Sequence, residues 1–161
     1  MIRAYELMGR PVITIDEGSV VGQTAGVIID TASTDVAALI VNAVSRFAQP
    51  KAVPYALVQG IGDDAVIIEN ASSLADFGAI PEILDIGRPD IEIRGVRVIT
   101  RTGRLLGTVA DLMIDLDAGK VVAYQIQGGA DTALLVRAEH VITVGRQALI
   151  TTAEACAHTA E

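Results

Sequence analysis

GSVVGQTAGVIID, residues 18–30, and GRLLGTVADLMID, residues 103–115, are one stretch written twice, 85 positions apart. Gly18, Gly22, Ala25, Ile29 and Asp30 recur as Gly103, Gly107, Ala110, Ile114 and Asp115. Alone, the second copy reads in two ways. It is a glycine-rich phosphate loop with an acid behind it, or a turn that enters a strand. A phosphate loop needs glycines that open a helix, whose amides and dipole face the anion. Here an apolar run follows and no Lys-Ser/Thr pair is present, so turn and strand entry is the better reading.

The repeat extends in both directions. VAALIVN (36–42) aligns with VVAYQIQ (121–127) at the same offset. AVPYALV (52–58) and GDDAVII (62–68) align with LVRAEHV (135–141) and GRQALIT (145–151) at an offset of 83. Gly9 and Val12-Ile13-Thr14 align with Gly95 and Val98-Ile99-Thr100 at 86. Blocks that keep their order while the offset drifts in turns are the mark of duplication. Apolar residues alternate, as in Val27 and Ile29 or Leu112 and Ile114, which predicts strands. Turn residues at 16–18, 62–64, 101–103 and 117–119 separate the runs. The expected class is mainly β, with two small barrels in tandem, each closed or nearly closed. Residues 1–78 are expected to form the first repeat with a short helix, 79–92 a linker, and 93–161 the second repeat with a tail helix. Asn70 or Ser72 would cap the first helix and Gly78 end it. Ile80, Ile83, Leu84 and Ile86 should pack between the barrels or in a partner's groove.

Composition limits the function. The chain has 161 residues, a formal net charge of −8 and a mean hydropathy of +0.47. A generic nucleic-acid binder needs a basic face, so no nucleic-acid partner is expected. Arg94, Arg97, Arg101 and Arg104 form the densest basic run and read as a solvated edge. The apolar stretch from Val36 ends at Arg46, too short for a membrane span. Cys156 is the single cysteine, and the N-terminus has no apolar signal segment. A cytoplasmic location is the expectation.

Each candidate for chemistry has a plainer reading. GIGDDA (60–65) imitates half a dinucleotide fingerprint, but AVIIEN after it reads as strand, not helix. DLDAGK (115–120) imitates the start of a calcium loop. Its twelfth position is Ile126, where a bidentate Glu is required. His140 takes the slot of Leu57 and should be half-buried packing. His158 and Cys156 stand two apart and face different ways on a helix. Asp30 and Asp115 end equivalent strands and should accept amides of the turns that follow. No catalytic, cofactor-binding or metal-ligating residue is assigned, and no cofactor is expected.

The order of these pieces resembles the PRC-barrel family. GRPVITIDEGSVVGQTAGVIID carries the resemblance in the first copy, and RGVRVITRTGRLLGTVADLMIDLDAGKVVAYQI carries it in the second. The family is named for the cytoplasmic domain of the photosynthetic reaction-centre H subunit, and the carboxy-terminal domain of a ribosome maturation factor is similar. The first copy departs at TASTD (31–35), where the turn glycine is missing. The resemblance implies docking or assembly within larger complexes and no shared catalytic motif. The expected function is a non-enzymatic module with a protein partner, a homodimer included. The alternative is a ligand- or divalent-metal-binding regulator, or an enzyme. Its site would lie between the barrels, around Asp63-Asp64 and Asp115/Asp117.

Overall fold

Each copy is built around a strand of eleven residues that begins exposed, buries most of the apolar side chains of its second half, and whose two ends do different work. The computed structural model describes residues 1–44, 49–76, 87–128, 133–153 and 158–159. The first copy runs β1 (Ile2–Arg3), a 3-10 turn (Ala4–Leu7), β2 (Pro11–Thr14), β3 (Val20–Asp30), β4 (Val36–Ala43), β5 (Lys51–Pro54), β6 (Val58–Ile61) and β7 (Val66–Ile68). The second begins with β8 (Gly87–Pro89) and α1 (Asp90–Ile93). It continues through β9 (Arg97–Thr100), β10 (Leu105–Asp115), β11 (Lys120–Gln127), β12 (Ala133–Arg137), β13 (Val141–Val144), β14 (Ala148–Thr151) and β15 (His158–Thr159).

Two sheets result, with orders β5-β4-β3-β2-β7-β6 and β13-β14-β9-β10-β11-β12-β15. The hydrogen-bonded orders are open at both ends among the described residues. Each copy sends its first strand into the other's sheet. β1 pairs with β10, Ile2 opposite Ile114 and Arg3 opposite Met113. β8 pairs with β3, Arg88 opposite Ile29 and Pro89 opposite Ile28. At the offsets of 86 for the first strands and 85 for the long ones these are the same pairings, so the copies exchange segments about a local two-fold axis. One continuous core follows: Val27, Ile29, Leu39 and Leu7 from the first copy join Ile93, Leu112, Ile114 and Tyr124 from the second.

The glycines of the repeated motif are geometry. Gly18 and Gly103 turn the chain at φ +64° and +91°, conformations that L side chains rarely adopt. Gly22 and Gly107 lie where strands press together: a Cβ would stand 2.3 Å from the Asn42 or Gln127 carbonyl oxygen. Ladder registers shift between Thr24 and Gly26 and between Val109 and Asp111. These bulges at the repeated Ala25 and Ala110 bend each long strand toward the other copy.

Several expectations change. Asn70 does cap a turn, its Oδ1 accepting the Ser72 amide, but the turn is a 3-10 one of three residues, Ala71–Ser73. Gly78 and the apolar residues 80–86 lie outside the described residues. Of the expected linker, 87–92 lie in β8 and α1. Of the expected tail helix, Thr151 ends β14 and His158–Thr159 form a strand beside β12. That strand satisfies the outer edge of β12, as the Ala52–Ala75 bridge does for β5. Thr34 takes the left-handed φ of 63° that Gly119 (φ +65°) takes in the second copy, so the first turn keeps its shape without glycine.

Tyr124 is fully buried, and its hydroxyl is without a hydrogen-bond partner. Burial pushes that hydroxyl up to about 12, against about 10 in an unfolded chain. The unfolded chain therefore loses this proton first. The contribution to stability is full below pH about 10 and disappears as pH climbs toward 12. Tyr124→Phe is expected to cost less than about 1 kcal/mol at pH 7, since no bond is lost. It should also spare about 1 kcal/mol of the decline by pH about 11. Urea unfolding of both proteins at the two pH values checks this, and parallel declines would contradict it.

Candidate site at the junction of the two repeats

The repeated aspartates do what their position at strand ends predicts. Asp30 Oδ1 accepts the amides of Ala32 (2.9 Å) and Ser33 (3.2 Å). Asp115 Oδ1 accepts those of Asp117 (3.1 Å) and Ala118 (3.3 Å). The two turns so fixed then meet. The Val36 amide donates to the Gly119 carbonyl at 2.8 Å, and the Val121 amide to the Thr34 carbonyl at 2.9 Å. The two bonds are images of each other at the offset of 85. Lys120 closes on Asp35 at 3.0 Å. The Lys120 ammonium, hydrogen-bonded to Asp35, holds its carboxyl below the ordinary carboxylate range. Both groups are half-exposed, so the pair acts more on orientation than on stability.

The second meeting point is buried. Asp90 heads α1, and its Oδ1 accepts the Val27 amide at 3.1 Å. Its Oδ2 holds Arg94 at 2.5 Å. Arg94 also reaches Asp111 on β10 at 3.7 Å. Asp111 accepts the Tyr5 amide at 3.4 Å and the Leu112 amide at 2.8 Å. The side chains of Asp90 and Asp111 are 3% and 8% exposed, and that of Arg94 is 23% exposed. Two desolvated carboxylates thus share one guanidinium between the repeats. Arg94 leaves the solvated run proposed for it, while Arg97, Arg101 and Arg104 stay exposed. Two signals pointed here: the Asp90/Arg94 spacing of four, and an aspartate set inside the apolar run VADLMI.

Acidic turns expected to frame a ligand groove do converge in part. Asp63, Asp115, Asp117 and Glu6 line a cavity of about 420 Å³, together with Arg10, Met1, Ile2, Ile61 and Leu116. Arg10 donates to the Gly62 carbonyl at 2.7 Å. Asp64 does not line it. Among the described residues, no group of three His, Cys, Asp or Glu is placed to hold a metal ion. Two further clefts are twins across the local axis. Tyr55 lies in one of about 450 Å³, and its equivalent Ala138 in one of about 670 Å³. The Tyr55 hydroxyl donates to the Leu116 carbonyl at 2.5 Å. Burial, then the nearby Asp117 and Asp115 charges, pushes that hydroxyl up. His140 is half-buried in a 3-10 turn, Ala138–His140, beside Thr152 and Glu139. GIGDDA turns into β7, as its reading predicts. Cys156 lies outside the described residues, and His158 is described through its backbone pairing in β15.

Arg94→Met, which copies the equivalent Met8, would strand both carboxylates. A loss of about 3–5 kcal/mol is expected from urea unfolding, the range for removing one partner of a buried ion pair. A loss under about 1 kcal/mol would contradict the shared-guanidinium reading.

No helix among the described residues is long and apolar enough to cross a membrane. No curated protein matches the chain. The profile of the PRC-barrel domain matches it twice, at residues 1–75 and 90–155, and the chain belongs to the PRC-barrel family.

Proposed function

We propose that this tandem PRC-barrel chain is a non-enzymatic docking module that assembles with a protein partner, a second copy of itself included. Support comes from apolar side chains turned to solvent at equivalent places. Tyr5 and Ile91 are 64% and 73% exposed. They are the second residues of the two segments that flank the buried Asp90–Arg94–Asp111 group. Met8 in the same turn is 42% exposed. The neighbouring carboxylates are matched: Glu6 by Arg3 and Glu92 by Arg88. On a chain of net charge −8, carboxylates paired in this way let an acidic partner approach. Exposed apolar side chains that recur at equivalent places suit an interaction surface. Sedimentation over a wide concentration range tests the reading. Wild type is expected to associate, and Tyr5→Glu/Ile91→Glu to remain monomeric while folded. A wild type that stays monomeric throughout and retains no protein from lysate counts against it.

The second reading, a small-ligand-binding regulator, is favoured by the gathering of Asp63, Asp115 and Asp117 on one cavity. A cationic ligand suits that lining. Its sign would be a melting temperature that rises with ligand concentration in wild type and not in Asp63→Asn/Asp117→Asn. No rise across a panel of polyamines and divalent cations would remove it.

A further inference from the structure

We infer that the junction carries a pairing code that joins the first repeat to the second and disfavours either repeat pairing with its own copy. The code lies where the twins differ.

The first position is Asp90 against Gly26. A Cβ on Gly26 would stand 2.6 Å from Asp90 Oδ1, and Gly26 also has φ +155°. At the offsets of 86 and 85, the twin contact sets Ala4 against Asp111. Each side therefore has one carboxylate and one small residue. Two first repeats would set Ala4 on Gly26, with both carboxylates missing and a void between them. Two second repeats would set Asp90 on Asp111, with steric overlap where Gly26 now leaves room, while Arg94 of each repeat stays beside its own carboxylates.

The second position is Asp35 against Lys120, which face each other across the local axis. Like pairing would set Asp35 on Asp35 or Lys120 on Lys120, and like charges directly opposite destabilise a ladder. Tyr55 against Gly119 is the third. A Cβ on Gly119 would stand 2.8 Å from the Tyr55 ring. The twin is Ala138 against Thr34, so the aromatic ring is absent where the turn residue carries a Cβ. Two first repeats would drive Tyr55 into Thr34, and two second repeats would leave Ala138 facing Gly119 across a gap. All three differences satisfy unlike pairing and penalise both like pairings. The partner this surface fits is a PRC repeat that carries the complementary set.

The test begins with the intact chain, cut at a protease site placed within residues 77–86. Native mass spectrometry then reads the halves before and after unfolding in urea and refolding. One-to-one pairs of unlike halves are expected both times. Like pairs at the level of random association overturn the code, as do halves that part under native conditions. A second measurement needs no cut. Gly26→Asp alone is expected to lower the urea midpoint sharply. Gly26→Asp/Asp90→Ala removes the overlap but keeps the φ of +155° at residue 26, so it should be clearly more stable than the two single losses added would give. A double variant as unstable as the two losses added overturns the code as well.

Discussion

Half of each long strand would be an open edge if the repeats stood apart. β3 has eleven residues, yet β2 covers only its beginning, from Val20 to Gln23. Beyond the bulge at Ala25, the backbone from Ile28 to Asp30 needs partners on that side, because buried amides and carbonyls left unpaired are costly. β8 supplies them from the other repeat, and β1 does the same for β10 at Met113 and Ile114. The exchanged strand leads straight into the segment that carries Ala4–Leu7 or Asp90–Ile93, so satisfying the edge also seats Leu7 and Ile93 in the core. The common core, the facing turns and the buried aspartates follow from that one requirement.

What the sequence made legible was local. Gly18 and Gly103 announce turns because few residues accept their φ. Asp30 and Asp115 announce strand ends because a short carboxylate reaches the next amides. Repetition strengthened both, since the same residue types stand at the same place in each copy. The exchange itself was illegible. Ile2-Arg3 and Gly87-Arg88-Pro89 are too short to show a period, and their partners lie about a hundred or sixty positions away. The buried Asp90–Arg94–Asp111 group was half visible as a charge inside an apolar run. Arg94 was hidden by the exposed arginines around it. Thr34 shows the limit of residue rules: the turn kept its left-handed residue after the glycine was gone, held by Asp30 at one end and the Val121 amide at the other.

The differences between the twins say more about this molecule than the likenesses. The likenesses build a PRC barrel twice. Ala4 for Asp90, Gly26 for Asp111, Met8 for Arg94 and Tyr55 for Ala138 make the two sides of the junction unequal. Inequality gives a fused pair something that a symmetric dimer lacks: two different clefts, one acidic cavity and one order of assembly.

Amide hydrogen exchange tests the central claim, that the repeats are one cooperative body locked by exchanged segments. Val27, Val36 and Val121 donate across the junction, to Asp90, Gly119 and Thr34. These amides are predicted to exchange as slowly as the core strands β3 and β10, through unfolding of the whole chain. Exchange at these three far ahead of the core, with either sheet still protected, would contradict the account.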